Sequence, residues 1–357
     1  MMDKIQPKST EGGTMSALKI IGIDLAKTNF YLFIINELGK PTEKIKLTRT
    51  RLLNWLAQKP QTIVAMEACG ASHHWACEIK KLGHQVVLLP AQHVRAYQRR
   101  QKNDYNDAQA IAEACQHGAI RPVPVKTLEQ QDLQTFLKMR QLVSMERTQL
   151  INHVRGLLAE YGIVLNKGAT ELRQKLPALL EDAENGLTDV MRALLHRQLI
   201  RLTALGDELE WYNSEQKKYV RHDPVCQRLL EIPGFGPLVS QAIKSWMGDG
   251  KQFNRGRDAS AALGLVPRQF STGGKQVLLG ITKRGNAWVR SMLIHGSRAV
   301  LFRTGGKTDP LSVWVNRIRE KRGFNRAVVA LANKLLRIAW VIIARHEVYT
   351  PVMMKNQ

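Results

Sequence analysis

The chain is 357 residues long and 44% hydrophobic, enough for two or three domains with packed cores. Its 53 Lys and Arg outnumber 30 Asp and Glu, and the formal charge of +23 points to a polyanionic partner, nucleic acid before a membrane surface. The longest apolar tract, Ala327 to Ala344, carries Asn333, Lys334 and Arg337, so it reads as a helix with a polar stripe and argues against a bilayer span. Residues 1–18 are expected to be a disordered tail. Their polar start lacks the apolar core of a signal peptide, so a cytoplasmic location is expected, with Met15 a second candidate start. Cys69, Cys77, Cys115 and Cys226 show no C-x-x-C pairing, which argues against a zinc site or a disulfide framework and predicts reduced, mostly buried thiols.

Lys19 to Asn36 reads K-I-I-G-I-D-L-A-K-T-N-F-Y-L-F-I-I-N, two β-branched-rich runs around a tight polar break. Asp24 closes the first run. A carboxylate among apolar neighbours needs a cation or donors, which makes Asp24 a candidate site residue; an Asp closing a hairpin turn through its own backbone is the alternative. Lys44 to Leu47 predicts a third strand, and Arg51 to Gln58 a short helix with Leu52, Leu53 and Leu56 inward. Thr62 to Met66 predicts a strand that ends on a second acid, Glu67. Ser72 is the expected cap of a helix reaching Leu82 and stopped by Gly83, and Gln85 to Leu89 is the next strand. Strands alternating with helices predict a mixed α/β sheet over residues 19–126.

Val94 to Lys102 holds Arg95, Arg99, Arg100 and Lys102 around Tyr97, a pattern suited to a phosphate backbone or to a solvated helix face. Next comes N-D-Y-N-D-A-Q-A-I-A-E-A, a helix capped by Asn103 or Asp104, running to His117 and stopped by Gly118. Asp104 and Asp107 stand three apart at its start, so both carboxylates share a side; acids at a helix N-terminus are also favoured electrostatically without any ligand.

Leu128 to Tyr161 and Leu187 to Val220 are strand-free with leucines at helical spacing, and predict two arms of an antiparallel helical pair over residues 127–222. Gly162, Gly168, Pro177 and Gly186 mark a bend or small subdomain between them. The apolar faces suit an internal core or an oligomer seam equally. Residues 223–357 carry 22 Lys and Arg against 7 Asp and Glu, so +15 of the +23 lies in this last third. There, L-L-E-I-P-G-F-G-P-L-V-S-Q-A-I has the form of a helix-hairpin-helix, in which Gly234 and Gly236 free backbone N–H groups to grip a phosphate. A Gly-rich basic segment follows, with Arg268, Lys275, Lys283 and Arg284, and then helices near Ala287 to Phe302, Leu311 to Arg322 and Arg326 to His346.

Asp24, Glu67, Asp104 and Asp107 come from two strand ends and one helix start. Four converging carboxylates repel unless divalent cations lie between them, and Mg²⁺ takes all-oxygen ligands while keeping positions open for phosphate oxygens. Beside a basic surface, such a centre suits cutting or joining nucleic acid, and the order of the acids matches an RNase H-like, RuvC-type core.

The set G-I-D-L-A-K (Gly22 to Lys27), M-E-A-C-G (Met66 to Gly70), K-N-D-Y-N-D-A (Lys102 to Ala108), I-P-G-F-G (Ile232 to Gly236) and S-T-G-G-K…I-T-K-R-G-N (Ser271 to Asn286) resembles the DEDD transposases of the insertion-sequence one-ten family, from about Ile20 to His346. The resemblance implies an α/β plus all-α protein: a RuvC-like catalytic domain over 19–126, a helical coiled-coil linker over 127–222, and a mostly helical C-terminal transposase domain with a helix-hairpin-helix over 223–357. It implies that a C-terminal serine attacks the DNA phosphate to form a phosphoserine link while the acids hold Mg²⁺. It also implies that a structured bridge RNA pairs with donor and target DNA. The matching hydroxyls are Ser271 and Thr272. Ser271 is the first choice, although a relative pattern puts the serine directly before Gly, where Thr272 stands. Further implications are a homo-oligomer, dimer or tetramer, no membrane partner, and a bacterial cytoplasmic protein that joins the nucleoid when active. Competing readings are a RuvC-like endonuclease using water, a sugar-kinase or actin-like ATPase suggested by G-I-D-L-A-K-T, and an architectural nucleic-acid binder.

Overall fold

The computed structural model describes residues 19–98, 103–117, 120–166 and 168–350. The expected tail at 1–18, the candidate phosphate contacts Arg99, Arg100 and Lys102, and the helix stop Gly118 lie outside the described residues. Two compact units divide the chain, Met1–Lys126 and Thr127–Gln357.

The first unit is a mixed α/β sheet. Strands β1 (Ile20–Leu25), β2 (Asn29–Ile35) and β3 (Pro41–Thr48) form an antiparallel meander, while β4 (Ile63–Glu67) and β5 (Gln85–Leu89) run parallel to β1 on its other side, giving the order β3-β2-β1-β4-β5. Parallel neighbours need crossovers, and helices α1 (Leu52–Ala57) and α2 (Ser72–Lys81) supply them. Alternation sorts the strands' side chains into two buried faces. Ile21, Ile23, Phe30, Leu32, Val64, Met66 and Leu88 pack with Leu52, Leu56, Trp75 and Ile79 on one face. Phe33, Ile35, Ala65 and Leu89 meet Ala108, Ile111 and Ala112 of α4 (Asp104–Gln116) on the other, which α3 (Ala91–Val94) joins through Val94.

Ser72 corrects its expected role. It is the first helical residue, fully buried, and its hydroxyl donates to Cys69 O while accepting the Cys69 N–H; Ala71 occupies the cap position without a side-chain bond. Asn103, in contrast, caps α4 by accepting the Tyr105 N–H at 2.9 Å. The four cysteines are free thiols, but only Cys226 is buried and Cys69 is exposed, so the expectation of mostly buried thiols is also corrected.

In the second unit α5 (Leu128–Glu160) starts on a Thr127–Gln130 capping box and α7 (Asp189–His222) on a Thr188 cap. They run antiparallel: Phe136 packs on Tyr212, Arg140 donates to Asn213 Oδ1 at 2.7 Å, and Val143, Leu150 and Leu158 share a core with Leu187, Leu195 and Leu205. The break between the arms contains a helix of its own, α6 (Ala169–Glu181), whose Leu172 and Leu176 complete this core. Next come α8 (Pro224–Leu230), α9 (Pro237–Met247), α10 (Gly256–Ala262), a two-stranded ribbon of β6 (Pro267–Gln269) and β7 (Leu278–Ile281), then α11 (Ala287–Leu301), α12 (Pro310–Arg322) and α13 (Phe324–Arg345). Among the described residues α13 alone is long and apolar enough to cross a membrane; 72% of that apolar window is buried, where Leu331, Leu335, Ile338 and Ile342 form the centre of the core.

One polar knot ties α5, α7, α8 and α9. Lys244 Nζ donates to Glu129 Oε1 at 3.0 Å, to Tyr219 Oη at 2.7 Å, and to Asp223, whose other oxygen caps α8 at the Cys226 N–H. Burial would lift Asp223, but Lys244 and the Cys226 N–H hold its carboxyl below the usual range, while burial pushes the Tyr219 phenol up to about 12 against the opposing pull of Lys244.

Candidate active site and nucleic-acid interface

Three of the four predicted acids meet. One ligand oxygen from each of Asp24, Asp104 and Asp107 lies within 4.8 Å of the others. Gly22 explains why. A Cβ at Gly22 would stand 2.3 Å from Ala108 O and 2.7 Å from Ala112 N, so α4 rests directly on the β1 backbone. Two residues along β1, about 6.6 Å, lead from Gly22 to Asp24 on the same face. One turn back along α4, about 6 Å, leads from Ala108 to Asp104. The two steps match, and the carboxylates are carried to one place.

Glu67 stands outside that trio, although it occupies the corresponding end of the neighbouring strand, one step beyond the Ile23–Met66 pair. Burial raises its carboxyl above the usual range; the charge of Arg95 opposes this and that of Asp107 adds to it, so Glu67 still feels the cluster. Gln98 donates to Asp107 Oδ1 at 3.1 Å. Two further neighbours were not visible in the sequence pattern. Tyr31 pairs with Asp24 across the hairpin, and its ring meets that of Tyr105, in the first turn of α4, at 5.0 Å.

The donor set is all oxygen, the chemistry of a hard cation. Ligand distances of about 2.0–2.6 Å put opposed oxygens about 4–5 Å apart around Mg²⁺ or Ca²⁺, so the spacing of the three carboxylates fits one.

Ser271 lies in the second unit, on the β6–β7 ribbon. The ladder runs from Gln269–Leu278 through the Phe270 N–H bond to Val277 O and closes at the Thr272–Lys275 bridge. Gly273 (φ +55°) and Gly274 (φ +76°) form the two-residue turn between them, a left-handed pair that glycine adopts without strain. Ser271 Oγ accepts the Val277 N–H at 3.3 Å and Gln269 Nε2–H at 3.1 Å. Thr272 sits in the bridge itself, and Arg268, Lys275, Lys283 and Arg284 are all exposed around this ribbon. Its base is held fast: Cβ atoms at Gly264 and Gly285 would stand 2.4 Å from Arg284 N and 2.0 Å from Ala262 O, and buried Arg290 donates to Leu263 O and Arg284 O.

Gly234 has φ +83°, and a Cβ there would stand 2.7 Å from Gly296 O, so this glycine admits α11. Gly236 is the cap residue of α9. Pro233 and Gly234 edge a pocket of about 350 Å³ whose other walls include Arg303, Lys307 and Asp309.

Two family models match the chain: one described as a transposase, over residues 21–163, and one described as the transposase IS116/IS110/IS902 family, over residues 226–310. The transposase for insertion sequence element IS1111A of Coxiella burnetii is 43% identical, spanning 94% of this chain and 92% of its own. The chain belongs to the IS110 family of transposases. A probable family 20 transposase of Pseudomonas aeruginosa is 39% identical over 94% of this chain and 99% of its own, and the IS1328 transposase of Yersinia enterocolitica 35% over 94% and 100%. Membership implies DNA cleavage and transfer, and the first model covers all the acids of the trio.

Proposed function

We propose that this transposase cuts and rejoins DNA through a covalent link to Ser271, with Asp24, Glu67, Asp104 and Asp107 binding Mg²⁺ and a bridge RNA pairing with donor and target DNA. The observation that carries the reading is the meeting of three acids from β1 and α4, at the C-terminal end of the central strand of a sheet whose β3-β2-β1-β4-β5 order suits an RNase H-like core. The guide RNA rests on the family resemblance and on the basic character of the last third, since base pairing relieves the side chains of reading sequence.

In the covalent step the Ser271 oxygen bonds to phosphorus, the bond from phosphorus to one deoxyribose oxygen breaks, and the serine proton leaves as the departing oxygen gains one. Val277 N–H and Gln269 Nε2–H already point at Oγ and favour the negative charge that grows there. Exposed Arg268, Lys275, Lys283 and Arg284 hold the phosphate chain along the ribbon, and the Pro233–Gly234 turn with Arg303 and Lys307 offers a second, sequence-independent grip. When bound, Mg²⁺ supplies Lewis-acid stabilisation of the phosphoryl oxygens. Asp24, Asp104 and Asp107 would hold it with Glu67 beside them, and Tyr31 and Tyr105 wall the cluster.

The test is denaturing electrophoresis of end-labelled DNA after reaction with the full-length protein and its RNA. Protein joined to DNA, lost in Ser271→Ala and kept in Thr272→Ala, supports the reading; cut DNA with no joined protein favours the water-using nuclease. Mixing Asp24→Ala with Ser271→Ala protein restores exchange if subunits share sites, and complete failure counts against sharing.

A further inference from the structure

We infer that the β6–β7 ribbon unstacks DNA, with Phe270 lying against a base beside the phosphate that Ser271 attacks. This rests on the proposed serine chemistry and adds a positioning residue to it. Phe270 is 68% exposed, and Leu278 and Leu279 on the facing strand are 65% and 42% exposed. Single exposed apolar residues are ordinary; three on so short a ribbon leave apolar area in solvent that wants a partner, with Phe270 the largest and most exposed of them. Charge names the partner. No Asp or Glu stands between Asp258 and Asp309, while Arg268, Lys275, Lys283 and Arg284 surround the ribbon, so a second copy of this face would meet its own sign and a polyanion would not.

Geometry narrows the choice to DNA bases. Two paired strands make a ribbon narrow enough for a groove of duplex DNA, and apolar wedges in such positions open base steps. The Phe270 backbone is anchored by its N–H bond to Val277 O, so the ring is presented from a fixed point on the ribbon. Consecutive residues of a paired segment point to opposite faces. Ser271 accordingly turns toward Gln269, and a base held on Phe270 leaves its sugar and phosphate at the ribbon edge, one residue from the Ser271 hydroxyl.

The experiment uses full-length protein bearing Ser271→Ala, so that DNA stays uncut, and duplexes from the ends of the insertion sequence that encodes it, each with one 2-aminopurine. Binding should raise fluorescence several-fold at one step next to the cut site. Adding Phe270→Ala should abolish that rise and weaken binding about tenfold, the effect of losing one stacked base. Phe270→Trp should restore binding and quench the signal. An unchanged rise and affinity in Phe270→Ala, a rise at no particular step, or an equal response from the matching RNA strand each overturn the inference. The two readings fail separately. Absence of a protein–DNA link in the unsubstituted protein sinks the serine chemistry even where the fluorescence rise depends on Phe270. A normal link with an indifferent Phe270 sinks only the wedge.

Discussion

Gly22→Ala is the sharpest perturbation of the site that leaves every acid in place. The new Cβ would fall 2.3 Å from Ala108 O and 2.7 Å from Ala112 N, and both are backbone atoms of α4 that no rotamer change can move aside. Restoring van der Waals distance requires α4 to retreat by about 1 Å. Overpacking of this kind costs about 1–3 kcal/mol of stability. The larger effect is on chemistry: Asp104 and Asp107 ride on the displaced helix while Asp24 stays on β1, and a 1 Å misplacement of a reacting constellation costs about 100-fold in rate. Cleavage of a supercoiled plasmid carrying the element's end measures the rate, and thermal unfolding measures the stability. Ile23→Val, on the opposite and fully buried face, is the control: it should cost about 0.5–1.5 kcal/mol with little change in rate. If Gly22→Ala slows cleavage no more than Ile23→Val does, the seating of α4 on Gly22 is not what assembles the acids.

Three further outcomes follow from polar groups. Burial and then the Lys126 charge hold His73 down to about 4, and its Nδ1 accepts the Lys126 N–H at 3.3 Å. The unfolded imidazole therefore protonates first; the stability it confers is full above about 6.5 and lost as pH falls toward 4, and His73→Gln should flatten that window by about 1–2 kcal/mol after discounting for a partly exposed ring, read by denaturant titration. Lys244→Met strands Asp223 without its cation in a half-buried setting and should cost about 2 kcal/mol, with Asp223→Asn in the same background recovering part of it. Glu67 carries a raised carboxyl, so its ionisation opposes folding as pH climbs through that value; Glu67→Gln should melt higher at pH 7 without divalent cation and match the parent below pH 4.

What the sequence discloses depends on how local each cause is. β5 at Gln85–Leu89 and the Asn103 start of α4 follow from neighbours in the chain, a short continuous apolar run in one case and a cap in the other. That Asp24, Asp104 and Asp107 share a place was inferred from their residue type, their positions at a strand end and a helix start, and their order in the chain. The physical reason, a glycine eighty-six positions before the alanine it admits, has no local trace. Glu67 shows the limit of that inference: the same strand-end position leaves it near the trio without joining it. Ser72 misled because a hydroxyl beside a helix start can bond Cys69 instead of the first turn. Helix α6 was hidden by Pro177 in its interior, a residue that ordinarily argues for a break. Gly234 was read as a phosphate grip from its local P-G-F-G-P pattern, and the packing demand on it, a Cβ meeting the Gly296 carbonyl, comes from a helix about sixty residues further along the chain and leaves no local trace.

The contrast between the two ends of the ribbon has its own consequence. Its root is wedged by Gly264 and Gly285 and riveted by Arg290, while its tip is a bare two-glycine reversal in solvent. Such a part behaves as a finger of set length on a rigid knuckle. Lengthening the tip should change how far the hydroxyl extends without unfolding anything, whereas crowding the knuckle should redirect the whole finger.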